Sequence, residues 1–186
     1  MNLEIIKLRL PDYAKDLRLN LDSVLSESGA PGLSTKQIAI IALASAIASR
    51  HEPLTEAIAT QASTVLSPTE LDAARAAAAI MAMNNIYYRF THLVEDAEYE
   101  TLRANLRMNV MANPGCGKVD FELASLAVSA INGCGKCVDS HEKTLRKHDV
   151  PAQTIQSAAR IASVIHAVAV TIEQAAAAAP VIAEAA

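Results

Sequence analysis

"VDFELASLAVSAINGCGKCVDSHEKTLRKH", residues 119–148, decides the fold. Its first part, residues 119–132, is an apolar run of helix-forming residues. It stops at Asn132-Gly133, a pair that tolerates the left-handed backbone on which helices commonly end. A second helix is expected to start near Cys134 and to run to about His148, before Pro151. Side chains advance about 100° per residue on a helix, so Cys134, Cys137 and His141 fall on one stripe. The turn at Gly133 would fold the preceding helix back and bring the carboxylate of Glu122 towards His141.

The rest of the chain repeats this helical pattern. With 52% hydrophobic residues but only 6 Gly, 7 Pro and no Trp in 186 residues, the composition favours long helices over many short strands, and the fold class is all-α. The length suits a single domain, residues 1–186. Residues 12–26 form an amphipathic helix with Leu17, Leu21 and Val24 at helical spacing. Gly29, Pro31 and Gly32 then mark a loop, and Ser34 or Thr35 caps a helix over about 36–50 that is apolar nearly all round and therefore buried. Ser67, Pro68 and Glu70 form a capping-box start to a further helix. The last long helix spans 152–174, and the low-complexity tail, 176–186, is expected to fray.

Asn113, Pro114, Gly115 and Gly117 make the clearest break, dividing an N-terminal half of about 1–112 from a second half of about 113–175. The halves resemble one another: residues 43–57 align with 127–141 without gaps, and "AAR" recurs at 73–75 and 158–160. In that alignment Arg50 and Pro53 stand in place of the two cysteines, so the chemistry belongs to the second copy.

A net charge of −4 and a 3% aromatic share leave neither a basic surface nor stacking platforms for nucleic acid. Glu4, Lys7 and Arg9 interrupt the apolar positions of the N-terminus, which excludes a signal-peptide core or a membrane span there, and the expected location is cytoplasmic. In a reducing compartment three cysteines are not a disulfide framework, and a Cys-x-x-Cys pair points to redox chemistry or metal. Cys116 is left over.

An isolated thiol has a pKa near about 8.5 and reacts as its thiolate. A helix N-terminus and a nearby cation both lower that value. The helix start near Cys134, Lys136 and His141 supply these influences, and a carboxylate behind the imidazole, here Glu122, would fix its tautomer. A thiolate that attacks a peroxide becomes a sulfenic acid, and a neighbouring thiol condenses with it to a disulfide. Hydrolysis needs no second cysteine. Two other readings stay open on the residues alone. Cys134, Cys137, His141 and His148 offer a tetrahedral zinc set, although one Cys-x-x-Cys is half a site and Lys136 adds positive charge; and the cysteines could be purely structural. His51, His92 and His166 read as surface or satisfied core residues, and Met81, Met83, Tyr87 and Tyr88 as core.

Five stretches, "LPDYAKDLRLNL" (10–21), "AAIMAMNNIYYRF" (78–90), "LRMNVMANPG" (106–115), "FELASLAVSAINGC" (121–134) and "CVDSHEKTLR" (137–146), resemble the alkyl hydroperoxide reductase D proteins, a branch of the carboxymuconolactone decarboxylase-like fold. The resemblance implies an all-helical domain with two similar halves, usually a homotrimer, acting as a lipoyl-dependent peroxidase with no bound cofactor or metal. Carried onto matching positions, it implies that Glu122 and His141 deprotonate Cys137, which attacks the hydroperoxide and becomes the sulfenic acid. Cys134 protonates the departing oxygen and closes the Cys134–Cys137 disulfide. It further implies dihydrolipoamide on a lipoylated dihydrolipoamide acyltransferase as electron donor, and alkyl hydroperoxide reductase C as a partner that receives electrons, with a protein that is mainly a disulfide-reductase adaptor as the alternative. Some members carry a histidine where this chain has Lys136; a lysine there is an accessory group that favours a thiolate but is a poor general base near neutral pH.

Overall fold

A computed structural model describes residues 2–177 of the chain; residues 178–186, most of the tail expected to fray, lie outside the described residues. The described part is all-α, with no strand among these residues. Its helices are α1 (Leu3–Leu8), α2 (Lys15–Val24), α3 (Thr35–Ala48), α4 (Glu52–Ala62), α5 (Pro68–Leu93), α6 (Glu98–Thr101), α7 (Lys118–Ile131), α8 (Gly135–Lys147) and α9 (Ala152–Ala177). The capping signals fall where the sequence places them. Ser34 caps α3 in a capping box with Gln37, and Ser67 caps α5 in one with Glu70, with Pro68 in the first turn. α1, α4 and α6 carried no strong signal, and the first two are capped by side chains. α1 is a single capped stretch in which the Asn2 side chain accepts from the Ile5 N–H, and α4 begins on His51, whose Nδ1 accepts from the Leu54 N–H.

The halves are related helix by helix. α3 and α4 begin at Thr35 and Glu52, and α7 and α8 begin at Lys118 and Gly135, 83 residues later in each case. α5 and α9 are both 26 residues long and lie 84 residues apart, Pro68 against Ala152. This register corrects the gapless alignment by one residue. The counterparts of Cys134, Cys137 and His141 are His51, Leu54 and Ile58, and the left-handed turn residue Gly133 (φ 68°) matches Arg50 (φ 58°).

The two first helices of the repeats, α3 and α7, pack against each other at the centre, and α5 and α9 pack on both of them. α3 is apolar on all sides because it is enclosed: Ile38 and Ile40 to Ala46 are buried. α7 buries every residue from Phe121 to Ser129, a run that includes Glu122. Burial of a Leu, Ile or Phe side chain is worth about 1.5–3 kcal/mol, so this pair anchors the fold. α9 is long and apolar enough to cross a membrane, yet half of its most apolar window is buried inside the protein. Ile155, Ile161, Ile165, Val168 and Ile172 form its inward face.

A Cβ at Gly133 would meet nothing nearer than the Arg89 guanidinium at 4.0 Å, so substitution there strains only the backbone. Gly133→Ala is expected to cost about 1 kcal/mol, and Arg50→Gly to stabilise by a similar amount, as shifts of about 2–4 °C in thermal midpoint.

Candidate active site

The turn between α7 and α8 is held from three sides. The Cys134 N–H donates to the Ser129 carbonyl at 3.0 Å, and the Arg89 guanidinium donates to the Asn132 carbonyl at 2.7 Å. Asn85 of α5 donates to Ser129 Oγ and accepts from Asn132 Nδ2, each at 2.9 Å. Cys134 is thereby fixed as the N-cap of α8, its Sγ accepting from the Cys137 N–H at 3.3 Å. The Cys134 and Cys137 sulfurs lie 2.09 Å apart.

One turn beyond Cys137, His141 meets Glu122. His141 Nδ1 lies 2.6 Å from Glu122 Oε2, and Lys118 Nζ lies 2.8 Å from Glu122 Oε1, one cationic or donor group for each carboxylate oxygen. Glu122 is 4% exposed and His141 7%. Burial pushes the Glu122 carboxyl up, but the hydrogen bonds from His141 and Lys118 outweigh it and hold it below the usual 4.5. An ionised carboxylate only accepts, so His141 Nδ1 carries a proton and donates it. That leaves Nε2 on the far side of the ring, 3.2 Å from Met81 Sδ. A buried carboxylate thus holds the imidazole through Nδ1, and Cys137 lies one helical turn before that histidine.

The cysteines face different spaces. Cys137 and His141 line a cavity of about 510 Å³ whose walls include Met81, Asn84 and Tyr88 of α5 and Met108 and Met111 from the connection between the halves. Cys134 is fully buried and borders a separate groove with Ser129, Gly133 and Val138. Lys136 pairs with Glu100 of α6 at 2.8 Å.

The structure thus brings Glu122, His141, Cys137 and Cys134 together. His148 is not with them: it is exposed at the C-cap of α8, its Nδ1 2.8 Å from the Thr144 carbonyl, and no set of three His, Cys, Asp or Glu side chains with metal-holding geometry occurs among the described residues. Cys116 is half-buried beside the start of α7, and burial together with Asp120 and Glu70 pushes its thiol up to about 11. His51 is a buried helix cap, and His92 and His166 are exposed. Met81, read from sequence as core, is core on one side and site wall on the other. Lys118, Asn84, Met108 and Met111 were not anticipated. Lys118 had a signal in its i, i+4 spacing to Glu122, whereas the other three reach the site only through tertiary packing.

Comparison with known proteins agrees with this picture. The sequence profile of the carboxymuconolactone decarboxylase family matches residues 97–180. The chain is 55% identical over 177 residues to the alkyl hydroperoxide reductase AhpD of Gluconacetobacter diazotrophicus, covering 95% of this chain and 96% of that one. It is 57% identical over 167 residues to the AhpD of Coxiella burnetii, covering 90% and 94%, and 53% identical over 184 residues to that of Rhodopseudomonas palustris, covering 99% and 100%. Similarity of this extent, over nearly the whole chain, means that the chain belongs to the alkyl hydroperoxide reductase AhpD family.

Proposed function

We propose that this protein is a dithiol peroxidase that reduces hydroperoxides at Cys137 and is re-reduced by dihydrolipoamide. The observation that carries the reading is the Glu122–His141 pair, 2.6 Å apart and buried behind a cysteine that faces a cavity. His141 Nε2 takes the Cys137 proton. The thiolate attacks the hydroxyl-bearing oxygen of the hydroperoxide, forming an S–O bond as the O–O bond breaks. Cys134 gives its proton to the departing alkoxide, which leaves as an alcohol. The Cys134 thiolate then attacks the Cys137 sulfenic acid, closing the disulfide, and the hydroxide lost takes the proton held on His141 and leaves as water. The printed name of the relatives, alkyl hydroperoxide reductase, supports the peroxide-reducing role.

Dihydrolipoamide carried on a lipoylated dihydrolipoamide acyltransferase returns two electrons and two protons to the pair, and the reduced dithiol also serves alkyl hydroperoxide reductase C. The donor, this partner and a homotrimeric assembly follow from the family resemblance, and a cytoplasmic location from the charged residues Glu4, Lys7 and Arg9 near the N-terminus. The deciding experiment is hydroperoxide consumption by chelator-treated protein with dihydrolipoamide as sole reductant, beside glutathione and thioredoxin. Turnover with dihydrolipoamide supports the relay. Failure with every donor, together with stoichiometric zinc in the untreated protein, would replace it by a zinc-stabilised helical module.

Cys137→Ser and Cys134→Ser are each expected to abolish steady-state turnover, and Cys134→Ser still reacts once, leaving a sulfenic acid that a dimedone-type reagent traps. Glu122→Gln is expected to slow turnover by about a hundredfold or more while the protein stays helical by circular dichroism. The Glu122 carboxyl titrates below its ordinary 4.5 in the folded state, so its contribution to stability is fully present above about pH 4.5 and is lost as pH falls through the depressed value. Denaturation midpoints of the native protein and Glu122→Gln are therefore expected to differ most near neutral pH and to converge below about pH 4.5.

A further inference from the structure

Asn84 of α5 is 4% exposed and lines the same cavity as Cys137, and its Oδ1 has no hydrogen-bond partner among the described residues. Its Nδ2 meets only a thioether, Met111 Sδ at 3.8 Å. The neighbouring Asn85 makes the contrast clear, since its two amide atoms are both engaged in holding the α7–α8 turn. A buried amide oxygen without a partner is destabilising, and leucine or methionine would fill the same volume without that penalty. A group kept in this state beside a reacting atom points to a ligand that completes it.

Tyr88 and Ser140 also bring hydroxyls to this cavity, and its charged groups are engaged elsewhere. Glu122 takes His141 Nδ1, Lys143 takes the Asp139 carboxylate at 2.7 Å, and Glu100 takes Lys136 at 2.8 Å. Three methionines supply most of the remaining wall, and a thioether is a weak acceptor. A hydroperoxide entering this space carries one O–H donor on the oxygen that Cys137 attacks, and that donor lost a water partner on entry. We propose that Asn84 binds the substrate, its Oδ1 accepting the hydroperoxide O–H and so presenting the O–O bond to the Cys137 sulfur. This rests on the peroxidase reading above and adds a residue to it. No atom is transferred to Asn84. When the S–O bond forms and the O–O bond breaks, the same O–H ends on Cys137 as the sulfenic acid and keeps donating to Asn84 until Cys134 displaces it.

The test separates the two half-reactions by stopped flow. Reduced protein is mixed with tert-butyl hydroperoxide, and oxidised protein with dihydrolipoamide, for the native chain and for Asn84→Leu. The oxidation rate constant is expected to fall at least about tenfold in the variant, the scale of one lost hydrogen bond, while reduction by dihydrolipoamide stays within about twofold. The thermal midpoint is expected to stay level or rise, because the unpartnered oxygen is gone. Should Asn84→Leu fail to fold, Asn84→Ala carries the same expectation for the two rate constants. An unchanged oxidation rate overturns the proposal, as does an equal fall in both half-reactions with a lower midpoint, which marks a purely structural residue. A native protein that does not react with hydroperoxide at all overturns the peroxidase reading itself, an outcome distinct from native reactivity that Asn84→Leu retains.

Discussion

The structure turns on a carboxylate placed inside its central helix. Glu122 lies among the buried residues of α7, between Phe121 and Leu123, in the helix that packs against α3, α5, α8 and α9. An unpaired ion in such a place costs several kcal/mol even after relaxation, so Glu122 stays ionised there only because its oxygens are matched. Lys118 meets one oxygen from the preceding turn of the same helix; the other can be met only from outside α7. α8, which doubles back along α7, supplies that partner. Gly133 adopts a left-handed turn, Cys134 caps the new helix, and His141 arrives two turns later opposite Glu122. The same interaction that compensates the buried charge therefore puts a proton on His141 Nδ1 and holds the ring at the cavity that Cys137 also lines.

The first half of the chain has the scaffold without this constraint. The position related to Glu122 by the 83-residue register is Ala39, and those related to Cys137 and His141 are Leu54 and Ile58. The capping role survives in different chemistry, with His51 Nδ1 doing for α4 what Cys134 Sγ does for α8. A cap needs only a lone pair at the right place, and imidazole and sulfur both supply one. The repeat therefore provides a turn, a cap and a short helix twice, and the reactive groups occupy one of the two.

Much of this was legible in the sequence because it depends on local rules. Ser34, Ser67 with Pro68, and Asn132-Gly133 mark helix ends through their own side chains or backbone, and the Cys134, Cys137, His141 stripe follows from helical periodicity. The one-residue error in repeat register arose because alanine-rich helices align almost equally well at neighbouring offsets. Only the cap positions, where backbone geometry changes sharply, fix the register. α4 was missed since its cap is a histidine, outside the usual Ser, Thr, Asp and Asn signal. The cavity wall was beyond local reading. Met81 and Asn84 come from α5, Met108 and Met111 from a connection without periodicity, and nothing in their spacing relates them to Cys137.

That connection also explains what Lys136 does in the fold. From sequence it stands between the two cysteines, where an ammonium would favour a thiolate, but its Nζ is committed to Glu100 at 2.8 Å. A charge neutralised at that distance exerts little net field on a sulfur, so in the proposed reaction stabilisation of a Cys137 thiolate falls to the N-terminus of α8 and to His141. Cys137 is well placed for the first of these, in the opening turn where backbone N–H groups have no intrahelical acceptor. The ion pair instead ties α6, and with it the segment bearing Met108 and Met111, to the start of α8. With Lys136 held in that mechanical role, His141 is the base in the proposed reaction.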